Sequence, residues 1–282
     1  MKQKVVIVGA GLMGSGIALD LASHGFSVIL KDISATALVE SQNNIKILFR
    51  TVKLIKRNYT VSHIDEILER IEFTCEFREL TDVDLVIENI TEDWDMKKDL
   101  YAELNKIFPE DTVIASNTSC ISITRLSSLV ANPGRIIGSH FMNPVPLKSM
   151  VEIIKGFHTS ISTMDKIIDL LKTIQKAPVI VNDYPGFVAN RLSHLFMNEA
   201  AFLIQDGVAN PIEIDTIFKK GYGHAMGPLE TADLIGLDTV VNSLGILYKE
   251  YQDTKFRCCP LLKKMVAAGL LGKKSGEGFY KY

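Results

Sequence analysis

Val5-Val6-Ile7-Val8-Gly9-Ala10-Gly11-Leu12-Met13-Gly14-Ser15-Gly16-Ile17 decides the architecture of this chain. The β-branched run Val5 to Val8 reads as a buried strand, and Ile17, Leu19 and Leu21 carry the sequence into a helix. Between them, the spacing Gly9-x-Gly11-x-x-Gly14 is that of a dinucleotide-binding βα turn. Gly9 permits the tight turn, Gly11 lets the backbone approach a pyrophosphate, and Gly14 lets the helix lie close to the sheet. The helix N-terminus, with Leu12 and Met13 in its first turn, then faces the phosphates. Asp32 stands at the end of the next strand, 18 residues past Gly14, where a carboxylate would bind the adenosine ribose. A carboxylate there repels a 2′-phosphate, so NAD is expected rather than NADP, with Lys31 beside it softening that preference.

Further along, Ser27 to Lys31, Ile71 to Thr74, Leu85 to Glu88, Thr112 to Ser116 and Ile136 to His140 are short runs of strand character separated by helix-length segments. Val151 to Ile154 and Pro178 to Val181 look like two more strands. This alternation predicts an α/β fold with a doubly wound, parallel, Rossmann-type sheet. After Tyr184-Pro185-Gly186 the pattern turns helical, over Phe187 to Gln205 and Pro211 to Lys219. We therefore expect a dinucleotide-binding domain at 1–185, with a helical arm at about 34–64, followed by an all-α C-terminal domain at 186–282.

Composition narrows the function. The 282 residues are 47% apolar and carry 31 Lys+Arg against 33 Asp+Glu, a formal net charge of −2, which gives no global field for nucleic acid or anionic lipid. No apolar run approaches the roughly 20 residues of a membrane span, and the N-terminus enters a strand without an h-region. A soluble, unexported, cytoplasmic chain is expected. Cys75, Cys120, Cys258 and Cys259 contain no CxxC pair, so buried or incidental thiols are predicted rather than a disulfide framework or a zinc clip. The even charge distribution breaks at one place. Ser41 to Ile64 holds five basic residues (Lys46, Arg50, Lys53, Lys56, Arg57) and no acidic one, and four of them share the helical period of Ile45, Leu48, Phe49, Val52 and Ile55. That stripe is either an ordinary solvated face or a seat for an anionic partner.

Catalytic candidates lie at predicted strand ends, where open α/β sheets bind ligands. Ser116-Asn117-Thr118-Ser119 leaves the fifth strand, and its hydroxyl and amide groups can reach a cofactor or cap the next helix. His140 ends the sixth strand, and Glu152, twelve residues on, lies on the following one. A carboxylate there would orient an imidazole acting as general base. Cys120 has no His tied to it by spacing and is read as packing. His24, His63, His158, His194 and His224 are read as structural or surface residues. No metal-ligand cluster is seen.

GAGLMGSG (Gly9 to Gly16), SNTS (Ser116 to Ser119), SHFMNPVP (Ser139 to Pro146), Val151-Glu152, PGFVANR (Pro185 to Arg191), MGPLE (Met226 to Glu230), DLIGLD (Asp233 to Asp238) and GEGFYKY (Gly276 to Tyr282) together resemble the L-3-hydroxyacyl-CoA dehydrogenase family. Within it, the bacterial 3-hydroxybutyryl-CoA dehydrogenases are the most similar type. The resemblance implies that His140 is the base for the 3-hydroxyl proton, that Glu152 is its electrostatic partner, and that Ser119 and Asn190 hold the reacting oxygen. It further implies that Asn143 lies near the nicotinamide and that Glu92 and Lys97 contact the nicotinamide ribose. The acyl chain would lie in the cleft between the domains, with the basic residues of the helical arm meeting the phosphates of CoA. Relatives in secondary metabolism oxidise hydroxyacyl groups on acyl carrier proteins, whose acidic surface would suit the same stripe. Met142, Leu147 and Ser149 depart from the commoner wording HFFNPxPVMKLVE and favour an altered substrate pocket.

Two other readings are weighed against this one. A non-catalytic dinucleotide-binding protein would show a broken catalytic set, whereas Ser119, His140, Glu152 and Asn190 are all present. A 6-phosphogluconate or 3-hydroxyisobutyrate type dehydrogenase would use a Lys in the helical domain, where PGFVANR has Asn190. The helical domain is small for the apolar faces of Leu192, Leu195, Phe196 and Ala200 to Leu203, and the family pairs these domains, so a homodimer is expected.

Overall fold

In the computed structural model, which describes residues 4–56, 63–77 and 83–282, the opening run forms strand β1 (Lys4–Val8) and the helix behind the glycine turn is α1 (Leu12–Ser23). The alternation continues through β2 (Ser27–Lys31), α2 (Ala35–Ile55), α3 (Ile64–Leu68), β3 (Ile71–Thr74) and β4 (Leu85–Glu88). After these come α4 (Trp94–Ile107), β5 (Val113–Ser116), α5 (Ile123–Ser127), β6 (Ile136–Phe141), β7 (Met150–Lys155), α6 (Ile161–Thr173) and β8 (Ala177–Asn182). The eight strands make one sheet, ordered β3-β2-β1-β4-β5-β6-β7-β8. Every residue of β4 and β5 is buried, as expected of parallel strands with both faces covered. The order reverses at β1, which pairs with β2 on one side and β4 on the other, so a crevice opens there beyond the strands' carboxyl ends.

One pairing departs from the all-parallel expectation. β7 runs antiparallel to β6 because the Met142 to Ser149 connection is shorter than the roughly dozen residues that a parallel crossover needs. The departure has a chemical consequence, since it sets His140 directly opposite Glu152 in the ladder.

The chain divides after Asp183 into two compact units. The second contains α7 (Ala189–Gln205), α8 (Pro211–Thr216), α9 (Pro228–Ile235), α10 (Leu237–Tyr251) and α11 (Pro260–Ala267). Helix α7 begins at Ala189 rather than Phe187 because Gly186 and Phe187 both take positive φ, which ends any helix there. Helix α8 stops at Thr216 and continues to Gly221 as a wide π turn. Met197, Ala201, Leu237, Val240, Leu244 and Leu262 form the core of this unit together with Cys258 and Cys259, so these two thiols, in the short loop before α11, are packing residues. Asp233 draws in the C-terminal strand of sequence, accepting from the amides of Phe279 (3.0 Å) and Tyr280 (2.9 Å) and from the Tyr282 hydroxyl (3.2 Å). Burial pushes its carboxyl above the usual range, and these donors pull it back. Among the described residues no helix is long and apolar enough to cross a membrane.

Candidate functional site

The glycine turn is built as tightly as its spacing requires. Gly9 has φ +99°, and a Cβ on it would stand 2.7 Å from the Asn89 carbonyl oxygen. A Cβ on Gly14 would overlap the Gly9 carbonyl oxygen, whereas one on Gly11 would meet nothing within 4 Å. Gly11 faces a cavity of about 510 Å³ lined by Val8, Gly9, Asp32, Ile33, Asn89 and Ile90 among others. Asp32 forms its wall. Its carboxylate accepts from Ala10 N at 2.8 Å and from Ser34 N at 2.9 Å, which fixes it beside the turn. The Lys31 ammonium sits over the Phe77 ring, 4.3 Å from its centroid. Ile33, which lines the cavity, and Leu12, next to Gly11, are both exposed apolar side chains. A ligand-sized cavity, open backbone at Gly11 and a held carboxylate together fit the adenosine and pyrophosphate of a dinucleotide.

Beneath the neighbouring strand ends lies a buried polar network that reading the sequence did not reveal. Glu88, the last residue of β4, is fully buried. Its Oε1 accepts from Lys97 Nζ at 2.6 Å and from Ile90 N at 2.9 Å, while Oε2 accepts from Ser116 Oγ at 2.7 Å. Tyr101, packed against it, is held well above the usual tyrosine range by burial and by the Glu88 charge. Lys97 is fully buried and also lies 3.9 Å from Glu92 Oε2. Glu92 points its other oxygen into the turn after β5, accepting from Thr118 Oγ1 and from the amides of Ser119 (3.0 Å), Cys120 (2.7 Å) and Ile121 (3.1 Å). Glu92 and Lys97 are thus engaged with the protein itself, and through them Glu88 supports the turn that presents Ser119. The signal for Glu88 was a lone acid closing the apolar run Leu85-Val86-Ile87.

Ser119, His140 and Glu152 come together. His140 is 7% exposed and Glu152 3% exposed. The ring Nδ1 lies 3.0 Å from Glu152 Oε2, and Nε2 lies 3.4 Å from Ser119 Oγ. Directly opposed residues of an antiparallel pair share one face of the sheet with Cβ atoms roughly 5 Å apart, so the β6/β7 register alone brings this carboxylate to this imidazole. With Nδ1–H donating to Glu152 Oε2, a neutral ring presents Nε2 as an acceptor toward the Ser119 hydroxyl. Asn117 ties the strand ends together, donating to Asn89 Oδ1 at 2.7 Å and accepting from Phe141 N at 2.9 Å. Asn143 is exposed on the connection after β6. The arrangement can take a proton from a hydroxyl beside Ser119 and hold the resulting imidazolium against a carboxylate. Among the described residues no group of three or more His, Cys, Asp or Glu could hold a metal ion.

The descriptions of the two matching family models decide the family. One, for the NAD-binding domain of 3-hydroxyacyl-CoA dehydrogenase, matches residues 4–184, and one for its C-terminal domain matches residues 186–282. The chain belongs to the 3-hydroxyacyl-CoA dehydrogenase family. It is 43% identical, over 99% of its length and 100% of the relative's, to a probable 3-hydroxybutyryl-CoA dehydrogenase of Deinococcus radiodurans. A 3-hydroxybutyryl-CoA dehydrogenase of Clostridioides difficile is 42% identical over 99% of both chains. Among solved structures, the (S)-3-hydroxybutyryl-CoA dehydrogenase of Ralstonia eutropha superposes with a TM-score of 0.91 at 41% identity, covering 100% of this chain and 99% of the other.

The remaining residues that the sequence singles out lie on other elements. Asn190 stands in the second unit, half-buried in the first turn of α7, where its carbonyl is 2.9 Å from His194 Nδ1. Lys46, Arg50 and Lys53 are exposed along α2 and Lys56 is exposed at its end, while Arg57 lies outside the described residues. The helix is less cleanly amphipathic than its sequence suggests. Ile45, Phe49 and Val52 are buried as the period predicts, yet Ile55 is 61% exposed, and Ile47 (60%) and Leu54 (85%) stand among the lysines.

Proposed function

We propose that this protein oxidises a short-chain 3-hydroxyacyl-CoA to the 3-oxoacyl-CoA with NAD, with His140 as the base and Glu152 as its partner. The observation that carries the reading is the imidazole held between Glu152 Oε2 at 3.0 Å and Ser119 Oγ at 3.4 Å. Bound NAD supplies the hydride acceptor at the nicotinamide C4. The turn at Gly9, Gly11 and Gly14, with Leu12 and Met13 behind it, would hold the pyrophosphate, Asp32 the adenosine ribose, and Asn117 and Asn143 the nicotinamide half, while Glu92 and the buried Lys97 support the turn at Ser119 from within the protein. Ser119 Oγ positions the substrate hydroxyl. His140 Nε2 removes its proton as the carbonyl develops, and Glu152 stabilises the imidazolium. In the reverse direction protonated His140 returns the proton.

The exposed lysines and arginine of α2, interleaved with Ile47 and Leu54, favour an anionic thioester carrier with an apolar arm. CoA is the carrier named in the relatives described above, and an acyl carrier protein is the second reading that this surface allows. A matched comparison of 3-hydroxybutyryl-CoA with a 3-hydroxybutyryl carrier protein, each with NAD and NADP, decides between them. We expect turnover of the CoA ester with NAD, a KM that rises with ionic strength, and at least tenfold weaker use of NADP because Asp32 opposes the 2′-phosphate. Binding of NADH without any turnover of the CoA ester would overturn the CoA reading.

We also propose that the chain works as a homodimer through its helical unit, where Leu192 on α7 and Ile212 on α8 are 63% and 67% exposed. Light scattering should give about twice the 31.3 kDa chain mass, and a single-chain mass would exclude the dimer.

A further inference from the structure

The Met142 to Ser149 connection joins the strands that carry His140 and Glu152, and it is held from two sides. Its single 3₁₀ turn, Val145–Leu147, packs on α1 at Gly16, where a Cβ would stand 3.2 Å from both Cβ and Cγ2 of Val145. Gly16, two residues beyond the last glycine of the dinucleotide turn, therefore serves this contact. From the other side comes Lys176, the residue before β8, only 5% exposed. Its Nζ donates to Val145 O and to Lys148 O, at 2.7 Å each, and lies 2.8 Å from Asp20 Oδ2 on α1. One ammonium thus donates to a carbonyl at each end of the turn and pairs by charge with a carboxylate on the helix.

Asp20 is itself 3% exposed, and His24, the residue that follows α1, approaches its other oxygen at 3.7 Å. Burial raises the Asp20 carboxyl above its usual range and Lys176 draws it back. A buried ion pair of this kind adds little net stability over an apolar pair of the same volume, so its presence calls for another reason. The reason lies in what the ammonium joins. Helix α1 presents the glycine turn at its N-terminus and Asp20 two turns further on. The connection determines how β6 and β7 enter the sheet end and carries Asn143.

We propose that Lys176 is a positioning residue of this dehydrogenase, locking the β6–β7 connection to α1 so that the His140/Glu152 pair and the dinucleotide turn move as one piece. The proposal rests on the functional reading above. A hydride donor and acceptor must meet within a few tenths of an ångström, and a misplacement of about 1 Å costs on the order of 10²-fold in rate.

Removing Lys176 alone leaves Asp20 buried without its counter-charge, which threatens the fold. The decisive protein is therefore the double variant Asp20→Asn/Lys176→Met, compared with the wild type and Lys176→Met. Amide hydrogen exchange over 142–149, NADH affinity, thermal midpoint and kcat are measured on each. For the double variant we expect a recovered thermal midpoint, NADH affinity within about twofold of wild type, exchange in 142–149 at least about tenfold faster, and kcat about 30-fold lower. A purely structural role predicts that kcat recovers with the thermal midpoint. Unchanged exchange over 142–149 would overturn the proposal, as would faster exchange with kcat within twofold of wild type. A wild-type protein that does not turn over the thioester marks failure of the functional reading instead, and the exchange result then still shows whether Lys176 holds the connection.

Discussion

His140→Gln should lower kcat by about 10³-fold, within the 10²- to 10⁴-fold range that a positioned general base contributes. Gln spans a similar reach and can still donate to Glu152 Oε2, so the buried carboxylate keeps a partner and the β6/β7 ladder keeps its register. It cannot take the substrate proton. The loss should therefore fall on kcat and leave NADH affinity within about threefold, since His140 is not among the residues that line the nucleotide cavity. The chain's single tryptophan gives the binding readout, because Trp94 opens α4 two residues beyond Glu92, with the Arg125 guanidinium 3.5 Å from its ring centroid. Glu152→Gln forms the companion. An amide can offer either an oxygen or an NH₂ to Nδ1, so the ring loses the tautomer preference that leaves Nε2 ready to accept, and kcat should fall about 10²-fold. A His140→Gln enzyme that retains more than a tenth of wild-type kcat would remove the imidazole from the mechanism.

Much of this was legible in the sequence because the fold is carried by local signals. Runs such as Val5 to Val8 and Leu85 to Glu88 are apolar throughout because both faces of a parallel strand are covered, and that pattern survives in a single sequence. What lay beyond reach depends on register and on distant partners. His140 and Glu152 could be named as a pair from their spacing, but the antiparallel turn that sets them face to face follows from the length of the Met142 to Ser149 connection. Lys97 was assigned to the cofactor by resemblance, and nothing local revealed that Glu88 would hold it in a fully buried pair. Lys176 and Asp20 meet across most of the first unit, where no periodicity could link them. Ile55 fits the helical period of Ile45, Phe49 and Val52 well enough to pass as core, yet the structure leaves it exposed, with Ile47 and Leu54, beside the lysines. Each miss has the same physical origin: charge pairing and solvent exposure are decided by tertiary contacts, while strands and helices announce themselves through nearest neighbours.

Gly14→Ala should abolish measurable NADH binding and destabilise the first unit, whereas Gly11→Ala should weaken NADH binding alone. The contrast follows from where each new methyl goes. On Gly14 it would overlap the Gly9 carbonyl oxygen and approach Ile7 Cγ2 at 3.5 Å, so the β1 to α1 turn must open or the helix must lift from the strand. Overpacking of this kind costs about 1–3 kcal/mol. In a unit of this size that lowers the thermal midpoint by about 2–12 °C. The same movement takes the N-terminus of α1 away from the place its amides and dipole offer to a pyrophosphate, and with it the geometry that an anion needs. On Gly11 the methyl meets no protein atom within 4 Å and projects at the cavity that Gly11 lines, so the folded protein should melt as the wild type does. Any loss of NADH affinity there, expected at about tenfold or more, reports contact between the turn and the cofactor rather than damage to the fold. Differential scanning calorimetry and Trp94 fluorescence titration on the two variants separate these effects. Wild-type affinity in Gly11→Ala would mean that the dinucleotide does not sit on this turn, and a Gly14→Ala protein within threefold of wild-type affinity would mean that the close strand-to-helix approach is not what holds it.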